Sequence, residues 1–127
     1  MKYWQFDVCS LIADYEKNTR RLAAIKEALE VARGFYENPI GSSTRGDWAQ
    51  YIAVTELREK EYQMYVDMVV LGFNDLPEVE RLVLKFWLID GYDDEAIVAH
   101  CGIKNLGELR KIKKIAVTKF ANIVMPD

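Results

Sequence analysis

The chain has 127 residues, half of them hydrophobic, and a formal net charge of −3 at neutral pH. This length and apolar content predict a small globular protein and exclude wholesale disorder. No apolar run reaches the length of a transmembrane helix, and the first residues lack the features of a signal peptide. We therefore expect a cytoplasmic protein that makes no membrane contact.

Five helices and no strand are predicted, so the fold class is all-α. The first helix extends from about Lys2 to Gly34, and its apolar positions alternate in steps of four and three residues. This stripe begins at Trp4 and ends at Tyr36, and Asn18 is its one polar member.

A loop from Glu37 to Asp47 follows, because Pro39 and two glycines make a helix unfavourable there. Asp47 is the predicted N-cap of a second helix, Trp48 to Leu71, which Gly72 is expected to end. Two arrangements remain open for this N-terminal half. The helices could form an antiparallel hairpin, or the first helix could pair with a second copy in a coiled-coil homodimer, which the polar core position at Asn18 favours.

A third helix is predicted to begin at Pro77 and to end at Gly91, with apolar residues at helical spacing between them. Asp93 is suited to cap a short helix, Asp94 to Cys101, with Ala96, Ile97, His100 and Cys101 facing inward. Gly102 would close that helix, and Ile103 would plug the core from the turn. A last helix, from about Asn105 to Ile123, completes the parts of a helix-turn-helix unit.

The last helix is predicted to have an apolar face and a basic face. The inward positions are Leu106, Leu109, Ile112, Ala116 and Phe120. Residues 96–127 carry a net charge of +4, whereas residues 1–95 carry −7. Positive charge gathered beside a recognition helix is the arrangement that double-stranded DNA requires. The candidate DNA-binding residues are Lys104 and Asn105 at the helix entrance, and Arg110, Lys111, Lys113 and Lys114 along it.

The segment from Leu76 to Phe120 resembles region 4 of the sigma-70 factors. The matching positions are Leu76, Pro77, Glu80, Arg81, Gly91, Ile97, Gly102 and Ile103. In layout the whole chain is similar to the phage late-gene transcriptional activators of the RinA/ArpU type, and the run from Lys111 to Phe120 resembles their basic final helix. We therefore expect an N-terminal helical region over residues 1–73 and a region-4-like helix-turn-helix domain over residues 74–127.

The resemblance implies an activator that binds promoter DNA in the cytoplasm of a bacterial host and also contacts RNA polymerase. The alternative is a protein-interaction module that modulates RNA polymerase or another regulator without binding DNA.

An enzyme is not expected, because a single histidine and no phosphate-binding glycine motif leave no catalytic set. Neither a metal site nor a cofactor is predicted. Cys9 and Cys101 are far apart in the sequence, and His100 beside Cys101 has no further ligands of the same kind. The acidic residues from Asp90 to Glu95 lack the spacing of a calcium loop.

Overall fold

A computed structural model describes the backbone of residues 2–39, 41 and 44–125, and the side chains from Val8 onward. The described chain is all-α, as predicted. Its helices are α1 (Lys2–Ala13), α2 (Tyr15–Glu37), α3 (Arg45–Asn74), α4 (Glu78–Leu84), a π-helical segment (Lys85–Ile89), α5 (Asp94–Cys101) and α6 (Leu106–Val124). The predicted stripe position at Trp4 lies outside the described side chains.

The predicted first helix is interrupted at Asp14, where α1 ends and α2 begins. The two parts pack in different places, so the predicted continuous stripe divides in two. Val8 and Ile12 are fully buried in a core cluster that also contains Phe120. From Asn18 onward, the buried residues of α2 belong to a different part of the fold.

The chain forms two compact units, residues 17–66 and residues 1–16 together with 67–127. They do not coincide with the expected division between residues 73 and 74. The difference arises because α1 supplies apolar side chains to the core of the C-terminal helices.

The unit formed by residues 17–66 is a helical hairpin. Arg33 in α2 donates to Glu56 in α3 at 2.9 Å, and Arg21 donates to the Tyr62 hydroxyl at 3.2 Å. Since the later residue of α2 meets the earlier residue of α3, the two helices are antiparallel. The α2 side chains buried in this unit are Asn18, Leu22, Ile25, Leu29 and Ala32. This part of the predicted stripe is therefore covered within the chain, whereas Tyr36 at its end is 43% exposed.

The start of α3 corrects the predicted N-cap. The Thr44 backbone N–H and hydroxyl both donate to the Asp47 carboxylate, at 3.0 and 3.1 Å, and the Asp47 N–H donates to the Thr44 hydroxyl. This reciprocal pattern is a capping box, with Thr44 as the cap and Asp47 in the first turn. The hydrogen bonds from Thr44 lower the pKa of Asp47 below its ordinary value.

The sequence predicted that Gly72 ends α3, but Gly72 lies inside this helix. A Cβ at this position would be 2.2 Å from Cε2 of Phe120, so the ring occupies the space of a side chain. Phe120 is fully buried and meets Phe73 edge to face at 5.9 Å. The glycine is thus a packing position, where the absence of a side chain lets α6 approach α3.

A π-helical segment, Lys85–Ile89, follows α4 directly, and Asp90 donates its N–H to the Lys85 carbonyl at 2.9 Å. The extra residue in this turn redirects the side chains that follow. Trp87 consequently contacts both core clusters of the unit, the one around Phe120 and a smaller one formed by Val83, Ile97 and Leu109.

Candidate nucleic-acid interface

Helices α5 and α6 begin and end within one residue of the predicted positions, whereas the helix predicted from Pro77 to Gly91 is α-helical only to Leu84 and continues as the π-helical segment to Ile89. Asp93 caps α5 by accepting a hydrogen bond from the Ala96 N–H at 2.8 Å. Gly102 ends α5 with a φ of 64°, a left-handed conformation that glycine adopts without strain. Four residues, from Gly102 to Asn105, separate α5 from α6, which is a turn length typical of this motif.

Ile103 packs from the turn against the core, as predicted. Its side chain is half-buried against the cluster of Val83, Ile97 and Leu109, and its N–H donates to the Val98 carbonyl at 3.0 Å. A backbone hydrogen bond and the packing of the Ile103 side chain therefore both fix the turn. This holds the start of α6 in a defined position.

The side of α6 that faces the core is largely the one predicted. Leu109, Ala116 and Phe120 are fully buried, and Ile112 is half-buried. Leu106 is an exception, because it is 42% exposed in the first turn of the helix. At this end the core is closed by Ile103 and Leu109, and Leu106 points away from it.

The opposite side of α6 carries the solvent-exposed residues. Gly107, Lys111 and Lys114 are exposed and, at spacings of four and three residues, lie on one face of the helix. Arg110 is exposed on the flank of this face. The one acidic residue on this exposed side of α6 is Glu108, whose Oε1 is 3.9 Å from the Nζ of Lys111.

The two residues predicted at the helix entrance have different surroundings. Lys104 is exposed in the turn. Asn105 is also exposed, but it is the N-cap of α6, and its Oδ1 accepts a hydrogen bond from the Glu108 N–H at 2.9 Å. Because the acceptor oxygen is engaged in capping, the amide NH₂ is the part of Asn105 that can donate to a ligand.

Lys113 is separated from the other predicted cations by its contacts. Its Nζ is 2.6 Å from Oδ1 of Asp94 and 4.4 Å from the ring centroid of Trp87, and its side chain is only 18% exposed. This lysine joins α6 to α5 and to the π-helical segment. The exposed basic surface, called the α6 basic face below, consists of Lys104, Arg110, Lys111 and Lys114.

His100, expected to face inward on α5, is exposed. Its ring lies 5.5 Å from that of Phe86 and 5.2 Å from that of Tyr92, and these two rings are stacked on each other. The turn after the π-helical segment brings Tyr92 beside α5, which no local sequence pattern indicates.

The sequence also contained no indication of the ion pair between Lys119 and Glu80. The Nζ of Lys119, near the end of α6, lies 3.0 and 3.2 Å from the two carboxylate oxygens of Glu80 in α4. The Glu80 side chain is only 11% exposed. Glu80, which the region-4 resemblance includes, therefore links two helices of the unit.

We expect Lys119→Met to destabilise the protein by about 1–2 kcal/mol, because it leaves the carboxylate of Glu80 largely buried without its cation. Chemical denaturation of the variant at neutral pH would measure this change. Glu80→Gln combined with Lys119→Met should recover part of the loss. Equal stability of Lys119→Met and the wild-type chain would show that the pair contributes nothing.

The cysteines and acidic residues of the described part of the chain form no metal or redox site. Burial raises the pKa of the Cys9 and Cys101 thiols above their ordinary values. Within the described ranges, no group of three or more metal-ligating side chains is present, and no helix combines the length and apolarity needed to cross a membrane. Comparison of the chain with known protein families, curated proteins and solved structures gave no match.

Proposed function

We propose that this protein is a DNA-binding transcriptional regulator that inserts α6 into the major groove of double-stranded DNA. The observation that carries the proposal is the α6 basic face. Lys111 and Lys114 are exposed on the side of the helix opposite Leu109, which is fully buried. A recognition helix needs this division, with apolar residues holding it to the domain and cations directed at phosphates.

The positions of the cations suggest a role for each. Lys104 and the amide of Asn105 lie where the first turn of a recognition helix meets base edges or phosphates. Arg110, Lys111 and Lys114 would neutralise phosphates along the groove. Glu108 would repel phosphate, so its natural partner is a cytosine amino group, and it would add sequence preference.

The resemblance to phage late-gene activators supports a finer assignment. On that basis, the protein activates transcription from a promoter of a phage growing in a bacterial host and contacts RNA polymerase there.

The test is fluorescence anisotropy with duplex DNA taken from upstream of the protein's own gene and of its neighbours, over a series of salt concentrations. Lys111→Ala combined with Lys114→Ala should weaken binding and flatten the log–log salt dependence by about two units, because each neutralised phosphate contributes roughly 0.9. Circular dichroism should show unchanged helicity, since both side chains are exposed.

A matched control is available in α2, where Lys17 and Lys26 are also exposed. Replacing both with alanine removes the same charge and should leave the salt dependence unchanged. If both double variants bind as the wild type does, α6 does not contact DNA through these lysines. If the wild-type chain binds none of the duplexes, the proposal itself fails.

A second function, a protein-interaction module for RNA polymerase or another regulator, is favoured by a different observation. A cavity of about 300 Å³ is lined by Val69, Phe73 and Ile89, with Arg81 and Lys85 beside them, and Lys85 is paired with Asp90 at 2.8 Å. Apolar lining flanked by positive charge suits an amphipathic acidic segment of a partner. Retention of the protein by purified RNA polymerase, together with no binding to any duplex, would favour this function over the first.

A further inference from the structure

Helix α3 has two apolar stripes on opposite sides, and only one of them is covered. Within residues 48–66, the first stripe faces α2 and consists of Trp48, Ile52, Thr55, Glu59, Tyr62 and Val66, all buried or half-buried. The second stripe, called the α3 outer seam below, consists of Gln50, Val54, Leu57, Glu61 and Met64, all exposed. Steps of four and three residues separate the members of each stripe, which is the spacing of a helix packed along its length against another helix.

The outer seam is unusually apolar for a solvated surface. Leu57 is 67% exposed, Val54 is 54% exposed and Met64 is 51% exposed, whereas Thr55 and Glu59 occupy the side that packs against α2. A helix with apolar residues on two opposed sides is typical of one that lies between two packing partners. The hairpin supplies α2 as one partner and leaves the other side open.

We propose that the α3 outer seam is the interface of a homodimer, in which α3 of one copy packs antiparallel against α3 of a second copy. This interface differs from the expected pairing through the first helix, whose stripe is buried against the chain itself. The seam is self-complementary in one antiparallel register, which favours a second copy as the partner, and Glu61 together with the flanking Arg58 and Lys60 indicates the direction.

A parallel pair is disfavoured by Glu61. In a parallel coiled coil, equivalent core positions meet, so the two Glu61 carboxylates would face each other inside the interface. Like charges at such a position are destabilising and are poorly compensated once water is removed. An antiparallel pair separates them.

One antiparallel register pairs four of the five seam residues with each other. When Val54 of each copy packs against Leu57 of the other, Gln50 faces Glu61 of the other copy. The Gln50 amide can then donate to the Glu61 carboxylate, one oxygen of which already accepts from the Tyr65 hydroxyl at 2.7 Å. At the edge of the same interface, Arg58 of one copy lies beside Tyr51 of the other, a favourable cation–aromatic pairing.

Neighbouring registers are less favourable. A shift of one heptad that sets Val54 against Met64 brings the two copies of Lys60 together on one edge and the two copies of Arg58 together on the other. Both contacts place like charges face to face. The apolar contacts and the charges therefore agree on one arrangement, centred between Val54 and Leu57.

The proposal is tested by sedimentation equilibrium of the full chain over roughly a hundredfold range of concentration, where a dimer should form reversibly. Leu57→Lys should weaken the dimer at least about a hundredfold, because two buried leucines are replaced by cations. Since Leu57 is exposed in the single chain, its replacement should leave helicity and thermal unfolding at low concentration unchanged. Val31→Lys, at an apolar position in α2 that is 54% exposed, is the matched control and should leave the dimer intact.

A charge exchange tests the direction of the helices. Glu61→Lys alone should weaken the dimer, and the addition of Gln50→Glu should restore it, because antiparallel packing sets each new lysine against a new glutamate. In a parallel dimer the double variant would place lysine against lysine and glutamate against glutamate, and it would dissociate further. A wild-type chain that stays monomeric at every concentration, or a dimer unaffected by Leu57→Lys, would overturn the proposal.

Discussion

Replacement of Gly72 by alanine is expected to destabilise the protein by about 3 kcal/mol, although alanine is the better helix former. The added Cβ would lie 2.2 Å from Cε2 and 2.8 Å from Cζ of the fully buried Phe120 ring. The ring cannot turn away freely, because it packs edge to face against Phe73. Either α6 shifts or the ring leaves its rotamer, and both cost packing energy. Thermal unfolding should register the change as a fall in Tm of roughly 10 °C.

Two further variants test whether the contact between the added Cβ and the Phe120 ring causes the loss of stability. Gly34 lies within α2, and a Cβ added there would meet no neighbouring atom within 4 Å, so Gly34→Ala should raise Tm slightly. Phe120→Leu removes Cε and Cζ, and should therefore cost less in the Gly72→Ala background than alone, with a coupling energy of about 1–2 kcal/mol. Additive effects of Gly72→Ala and Phe120→Leu on stability would show that contact with the Phe120 ring is not the cause.

Lys113→Met is expected to lower the free energy of unfolding by about 2 kcal/mol while leaving the salt dependence of DNA binding unchanged. The substitution keeps the apolar stem but removes the ammonium group that lies 2.6 Å from Asp94 and 4.4 Å from the Trp87 ring. The Lys113 side chain is 18% exposed and that of Asp94 is 49% exposed, so water screens the ion pair in part, and the contact with Trp87 contributes to the expected loss. Urea denaturation and anisotropy titrations on the same preparation would measure both quantities.

Lys111→Met is the matched comparison two positions away. Its side chain is 75% exposed, so its replacement should change stability by less than about 0.5 kcal/mol. It should instead reduce the slope of the salt dependence by about 0.9. Opposite behaviour, with Lys113→Met altering the slope and Lys111→Met altering stability, would reverse the roles given to these two lysines.

Local chemistry explains which parts of the fold were predictable. The ends of α5 depend on Asp93 and Gly102, whose capping and left-handed conformations need only their immediate neighbours. The apolar spacing of α6 likewise placed Leu109 and Phe120 in the core. Because residues close together in the chain determine these features, they can be predicted from a single sequence.

Contacts between distant segments of the chain explain the sequence-based predictions that were wrong. Gly72 has the sequence character of a helix end, and only the position of Phe120 shows why it lies inside α3. Lys113 is equivalent to Lys111 in composition and spacing, and it differs because α5 and the π-helical segment bring Asp94 and Trp87 to it. A π-helical turn has no residue signature of its own, so the path of the chain after Leu84 could not be inferred.

The core around Phe120 also determines when the protein can fold during synthesis. Val8 and Ile12 are synthesised well before Ala116, Phe120 and Ala121, which belong to the same cluster. The hairpin of residues 17–66 is formed by one continuous segment of the chain and can fold before α6 has been synthesised. Until α6 has been synthesised, α1 lacks part of the core against which its apolar side chains pack, and closing so long a loop is slow. This interval is when the chain is most exposed to aggregation and to chaperones.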